Sequence, residues 1–372
     1  MTFDTSKRQL YNVENRQRYL FYNNKQYLNL SSNDYLGLSS LELQNKFMEE
    51  VSPLEKFVMS NPSSRLMTGN SVHYENLEKS IASLFGRESS LVVSCGFLLN
   101  ATLISAIAAK NSLIIADKLV HASMIDGIKL SGCDFERFRH NDTNHLAQIL
   151  ERKATNYDEV YVMVESIYSM DGDIAPIKEI AELKNEYGFK FYVDEAHAFG
   201  VRGEKGCGIL EELDMENCAE IVVATLGKAA ASQGGFVVCS NEIKDVLINK
   251  MRGLIFSTAI PDISLMWSKF IVELLPSLTE KRENLAKLST KLTELLNIKP
   301  SPSHIIPIIL GSNDRVVQMQ ESLRDKGYWL AAIRNPTVAK GSERLRISLS
   351  AEITTKELEL FAENYKKSTN QL

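Results

Sequence analysis

The chain predicts an α/β fold built on a largely parallel sheet, and three observations point there. Its middle alternates short strand-like runs with helix-like segments. Most of the runs are nearly all apolar, as strands are when helices cover both faces of their sheet. An acid, Asp194, ends one run and a lysine, Lys228, stands just after another, where open α/β sheets carry their sites.

The expected strands span residues 113–116, 159–164, 189–193, 220–224 and 236–239, with a β-rich piece at Leu91-Val92-Val93. Helices are expected at 145–153 and at 177–187, the latter after Pro176, a helix-start signal. From Ile260 to about Leu296 the pattern is long and helical, and its charged run Glu280-Lys281-Arg282-Glu283 reads as a solvated face. Beyond Pro300-Ser301-Pro302 a second unit follows, with strands at 304–309, 328–333 and 345–349 and helices at 315–326 and 355–366. The expected organisation is an N-terminal arm (1–45), a large cofactor-binding domain (46–263) and a smaller C-terminal α+β domain (264–372). The 372 residues suffice for both domains.

Composition excludes several classes. With 44% hydrophobic and 24% charged residues the chain reads as an ordinary soluble globular protein. A net charge of -5 gives no reason to expect a nucleic acid partner. Residues 91–109 carry no charge, but Ser94, Gly96, Asn100, Thr102 and Ser105 fit a strand, a turn and a buried helix better than a membrane span. Met1 to Leu20 lacks the apolar core of a secretory signal. Cys95, Cys133, Cys207, Cys218 and Cys239 are scattered with no C-x-x-C pair, so they read as reduced thiols of a cytoplasmic protein, without a metal site.

The chemistry begins at Ile221-Val222-Val223-Ala224, followed by Thr225-Leu226-Gly227-Lys228 and a run of small residues that lets a flat cofactor approach the backbone. Upstream, Phe191-Tyr192-Val193 leads into Asp194-Glu195-Ala196-His197. An amine that can bond an aldehyde, a carboxylate that keeps a pyridine nitrogen protonated, and a histidine near a phenolic oxygen are what a pyridoxal phosphate enzyme needs. Each residue alone has a blander reading: an exposed lysine for Lys228, a helix cap for Asp194, a structural histidine for His197. His121, in Val120-His121-Ala122-Ser123, could stack on the ring or simply cap a helix. Gly96 and Phe97 stand at a strand-to-helix turn, where backbone N–H groups can bind phosphate, although most such turns bind nothing. Ser257 and Thr258 could complete a phosphate cup or cap a helix. Arg344 and Arg346 share one face of a strand, suited to gripping a carboxylate or to a surface ion pair.

As an ordered set these residues resemble the α-oxoamine synthases, pyridoxal phosphate enzymes of fold type I, from Leu28 to about Ala351. The landmarks are Ser31-Ser32-Asn33-Asp34-Tyr35-Leu36-Gly37-Leu38, Phe138-Arg139-His140-Asn141-Asp142, Tyr168-Ser169-Met170-Asp171-Gly172-Asp173, the two motifs around Asp194 and Lys228, and Phe256-Ser257-Thr258. The resemblance implies a large domain with a mostly parallel seven-stranded sheet and a smaller α+β domain. It also implies joining of an amino acid to an acyl thioester with loss of carbon dioxide. Lys228 would carry the cofactor pyridoxal 5′-phosphate, Asp194 would pair with its ring nitrogen, and His121 would stack on the ring. His197 and Ser169 would lie near the phenolic oxygen, and Gly96, Phe97 and Thr225 around the phosphate. Ser257 and Thr258 would reach in from the second subunit of a homodimer with shared active sites. Asn33 and Arg346 would contact substrate, Arg346 through the amino acid carboxylate.

The stretch Ala332-Ile333-Arg334-Asn335-Pro336-Thr337-Val338 is most similar to the biotin-pathway branch, which condenses alanine with a pimeloyl thioester. It makes Arg334 and Thr337 candidates for acyl contact. The chain departs from the family at Ser60-Asn61-Pro62-Ser63-Ser64-Arg65, where Pro62 fixes φ and removes a donor, and at Ala339. Near the N-terminus, Arg16 and Arg18 are the candidates for the family's acyl-contacting arginine. Rival readings are glycine with acetyl-CoA or succinyl-CoA, serine with a long acyl chain, a non-catalytic partner subunit, and a nucleotide-binding oxidoreductase. The last lacks a G-x-G-x-x-G after its first strand.

Overall fold

The computed structural model describes residues 10–51 and 58–370, so residues 1–9 of the expected arm, 52–57 of the expected large domain and 371–372 lie outside it. At the N-terminal end β1 (Glu14–Arg16), β2 (Tyr19–Tyr22) and β3 (Lys25–Asn29) form an antiparallel meander. The central sheet takes β4 (Ser89–Val93), β5 (Ser112–Asp117), β6 (Asp134–Phe138), β7 (Glu159–Glu165), β8 (Lys190–Asp194), β9 (Ile221–Thr225) and β10 (Gly235–Cys239). They lie in the order β4-β10-β9-β8-β7-β5-β6. From β9 to β6 every neighbour is parallel, and β10 alone runs against β9 and β4.

The last four strands are β11 (Ile305–Ile309), β12 (Tyr328–Trp329), β13 (Ala331–Ile333) and β14 (Arg344–Ser348). The strands β11, β14 and β13 form a three-stranded antiparallel sheet in that order. The short β12 pairs in parallel with β3, so the N-terminal meander is closed by a strand from the far end of the chain.

Burial explains why the central sheet was legible. Every residue of β4, β5 and β10 is buried, which is what unbroken apolar runs predict. The missed strand is β6, Asp-Phe-Glu-Arg-Phe, at the sheet edge and mostly exposed. Its charges suit an edge that must resist further pairing, and they hide the strand from a search for apolar runs.

Two expectations are corrected. Residues 328–333 do not form one strand: buried Leu330 separates β12 from β13, and the halves join different sheets. The helical stretch 260–296 is two helices, Asp262–Leu274 and Thr279–Leu296, joined by a 3₁₀ turn at Leu275–Ser277. Pro276 supplies the break, because it lacks the N–H an α-helix needs there. The uncharged stretch 91–109 resolves into the end of β4 and the helix Gly96–Ile107. Among the described residues no helix is long and apolar enough to cross a membrane.

That helix packs closely on the helix Ala122–Ser131 because Gly127 has no side chain: a Cβ there would run into the carbonyl oxygen of Asn100. In an exposed helix, alanine at a glycine position gains about 1 kcal/mol. Here the collision should reverse the sign. Gly127→Ala is expected to lower unfolding free energy by about 1–3 kcal/mol, measured by denaturant titration; a gain in stability would show that the helices can part freely.

Candidate active site

The parallel strands β7, β8 and β9 end side by side, and their carboxyl ends open onto a cavity of about 140 Å³. Its walls include Gly96, Phe97, Asn100, His121, Ser123, Glu165, Asp194, His197, Thr225 and Lys228. Of the expected site residues, Lys228, Asp194, His197, His121, Gly96, Phe97 and Thr225 are thus brought together. A larger surface groove of about 530 Å³ beside Arg65, Glu78 and Lys244 shares no residue with it. There Glu78 already pairs with both Arg65 and Lys244.

Asp194, the last residue of β8, is 4% exposed. One carboxylate oxygen accepts from Asn100 Nδ2 at 2.7 Å and the other from the backbone N–H of Ala196 at 2.9 Å. Tyr192 Oη donates to Asn100 Oδ1 at 2.6 Å and so fixes which way the amide faces. Its neighbour Glu195 points elsewhere: it accepts from the backbone N–H groups of Ile209 and Leu210 and from the Ser166 hydroxyl.

Lys228 Nζ lies 2.8 Å from His197 Nε2, and His197 Nδ1 lies 2.7 Å from Tyr35 Oη. The Tyr35 hydroxyl in turn donates to Asn33 Oδ1 at 3.0 Å. With the imidazole neutral, this chain of contacts has one consistent proton order: Lys228 donates to His197, His197 to Tyr35, and Tyr35 to Asn33. Burial, followed by the positive charges of Lys228 and Arg346, pushes the His197 pKa well below the usual 6.5. Burial also lowers the Lys228 amine to about 8, against the pull of Asp194 and Glu165.

His121 caps the helix Ala122–Ser131, its Nδ1 accepting from Ser123 N at 3.3 Å, and also walls the cavity. The capping reading and the cavity reading therefore both describe it. Gly96 and Phe97 open the helix Gly96–Ile107, whose first N–H groups have no partner within the helix. Gly235 of β10 lets that helix start sit against the sheet, because a side chain there would meet the Gly96 backbone. Thr225 Oγ1 donates to Gly234 O at 3.0 Å and accepts from Gly227 N at 3.1 Å.

The remaining expected residues lie off the cavity wall. Asn33 is tied to Tyr35 as described. Ser169 gives its N–H to Glu165 Oε2 at 3.2 Å and its carbonyl to Arg346 Nε at 2.5 Å. Arg346, buried on β14, also donates to Ser348 Oγ at 2.5 Å, while Arg344 on the same face takes the ion pair, with Asp171. Ser257 is half-buried and donates to Gly253 O; Thr258 is exposed and bridges to Ser64. The segment altered by Pro62 pairs with this stretch, Ala259 N donating to Ser63 O at 2.8 Å. Arg334 and Thr337 stand in the turn after β13, where Thr337 N donates to Arg334 O at 2.8 Å. Arg16 pairs with Glu14, and Arg18 with Glu357.

Sequence reasoning did not select Tyr35, Asn100, Ser123, Tyr192 or Glu165. For Asn100 a signal existed: an amide inside a buried, uncharged helix needs a partner. Tyr192 and Ser123 offered none, since each is an ordinary core residue until Asn100 is placed against it.

The donor set fits pyridoxal 5′-phosphate: an amine of lowered pKa, a buried carboxylate held by two donors, an imidazole on the wall and a helix start at Gly96 and Phe97. The chain matches the aminotransferase class I and II family over residues 25–364. It is 42% identical over 329 residues, 85% of each chain, to the 8-amino-7-oxononanoate synthase of Haemophilus ducreyi. A lysine-to-alanine variant of serine palmitoyltransferase from S. paucimobilis, with a bound PLP–myriocin aldimine, superposes with a TM-score of 0.92 at 26% identity over 97% of this chain and 92% of that one. The 8-amino-7-oxononanoate synthase of Francisella tularensis superposes with a TM-score of 0.76 at 25% identity, over 93% of this chain and 98% of that one. The chain therefore belongs to the aminotransferase class I and II family and, within it, to the α-oxoamine synthases, acyltransferases of fold type I that depend on pyridoxal 5′-phosphate.

Proposed function

We propose that the chain condenses L-alanine with a pimeloyl thioester, releasing carbon dioxide and the carrier thiol, to give 8-amino-7-oxononanoate for biotin biosynthesis. The observation that carries this reading is the 42% identity, over 85% of both chains, to a synthase named for that product. A second reading, condensation of serine with a long acyl chain, is favoured by the higher TM-score of the serine palmitoyltransferase structure, 0.92 against 0.76. Backbone superposition reports the path of the chain, whereas substrate choice depends on side chains. The sequence identity is the better guide, and it favours alanine and pimeloyl.

In this reading the helix start at Gly96 and Phe97, with Thr225, would hold the cofactor phosphate, Asp194 the ring nitrogen and His121 a ring face. Bound there, pyridoxal 5′-phosphate supplies an aldehyde and an electron-poor ring that can take up electrons from the α-carbon of the amino acid. Lys228 Nζ acts as the base for the α-proton, and its lowered pKa brings it nearer the working pH. Neutral His197 receives the Lys228 proton in a hydrogen bond and, through Tyr35 and Asn33, fixes where the amine points. Arg346 holds the amino acid carboxylate: two of its five N–H groups are engaged by Ser169 and Ser348, and its charge lowers the Lys228 pKa. Arg334 and Thr337 contact the acyl chain. The protein acts in the cytoplasm as a homodimer, Ser257 and Thr258 reaching the cavity of the other copy; the five free cysteines suit that compartment.

Three measurements check this. Purified protein with pyridoxal 5′-phosphate should release thiol from pimeloyl-CoA and alanine and yield a product with the mass of 8-amino-7-oxononanoate; preference for serine with palmitoyl-CoA would install the second reading. Arg346→Ala should raise the alanine KM about 10- to 100-fold with a much smaller change for the thioester; an equal rise in both would move the carboxylate site elsewhere. Capture of cofactor by the cofactor-free protein needs the neutral amine, so its rate, followed by absorbance, should climb with pH and level off above about 8. A climb continuing toward the ordinary lysine value of 10.5 would remove the lowered pKa from the account.

A further inference from the structure

One carboxyl on the cavity wall has no part in the condensation just described. Glu165 ends β7 directly beside Asp194 at the end of β8, and the two are register partners. They are 3% and 4% exposed. Two carboxylates so placed in a buried site resist being ionised together.

Hydrogen bonds decide which of them holds the charge. Asp194 accepts two bonds, one on each oxygen, at 2.7 and 2.9 Å. Glu165 accepts from Ser169 N at 3.2 Å through Oε2, and its Oε1 is buried without a hydrogen-bond partner. Leaving an ionised oxygen bare in a buried site is far more costly than leaving a neutral hydroxyl there. We infer that Glu165 carries a proton at neutral pH and is a positioning residue of the pocket, leaving Asp194 its single anion and offering Oε1–H as a donor to an acceptor atom of the bound cofactor. The donor clause rests on the pyridoxal phosphate reading of the cavity; the proton assignment does not.

The surrounding charges agree. Burial, and after it Asp194 on β8, raise the Glu165 pKa to about 8. Lys228 beyond β9 and the backbone N–H groups of Ser169 and His121 oppose that rise. Tyr168, on the loop after β7, is buried and neutral, its own pKa pushed up by burial and by nearby carboxylates including Glu165. His197, next to Lys228, is held neutral as well.

A glutamate whose folded pKa is raised from 4.5 to about 8 contributes stability that is complete below the lower value and lost as pH climbs through the higher one. Glu165→Gln keeps the shape and a donor but cannot ionise. The cofactor-free wild type should therefore lose several degrees of melting temperature relative to Glu165→Gln between about pH 5 and about pH 9; parallel curves would overturn the proton assignment. For cofactor binding, Glu165→Gln should hold pyridoxal 5′-phosphate within about threefold of wild type at pH 7, and Glu165→Met, of similar volume and without a donor, should bind about tenfold more weakly. Equal losses in both variants would overturn the donor role. If the wild type itself takes up no cofactor, the reading of the pocket fails, and the melting comparison still decides the proton. If Glu165→Gln does not fold, carbon-13 labelling of glutamate carboxyls in the wild type decides it: besides buried Glu195, raised to about 7, a second carboxyl titrating near 8 is expected, and the lack of that second high-titrating carboxyl overturns the inference.

Discussion

The buried carboxylate of Asp194 is the constraint around which the rest of the site is arranged. A charge taken out of water must be met by donors, and here the donors come from Asn100 and from the backbone of Ala196. Asn100 belongs to a helix against which a second helix closes at Gly127, whose missing side chain leaves room for the Asn100 carbonyl. Tyr192, buried on β8 itself, orients the amide. Helix packing, sheet register and hydrogen bonding thus all converge on one anion.

Around that anion the charges are rationed. His197 and His121 are kept from protonating chiefly by burial. The Lys228 amine is brought down to about 8 while remaining in contact with a histidine that can only accept from it. The Arg346 guanidinium pushes the same way on Lys228 and His197, lowering both. A cavity that kept every titratable group charged would be far less stable than this one, because low polarity magnifies each uncompensated charge.

The chain ends contribute as much as the central sheet. The N-terminal meander, closed by β12, delivers Asn33 and Tyr35 to His197. The C-terminal sheet delivers Arg346 to the carbonyl of Ser169, at the loop that follows β7. A site floored by the sheet is therefore framed by segments about 300 residues apart in sequence, such as β3 and β12, where Leu28 pairs with Tyr328.

By itself the sequence determined the α/β alternation and the two motifs at Asp194 and Lys228, because unbroken apolar runs mark covered strands and because chemistry in such sheets gathers where strands end. It also carried the family, through an ordered set of short motifs. Local pattern failed wherever a residue's role came from a distant partner. The strand β6 was hidden by its own edge charges, and 328–333 read as one strand because nothing local announces a change of sheet. Asn100 became part of the site through an acid 94 positions away, and Glu165 through the register that sets it beside Asp194. Only the folded chain could decide those pairings, since hydrogen bonds and charge repulsion act over a few ångströms in space whatever the separation along the chain.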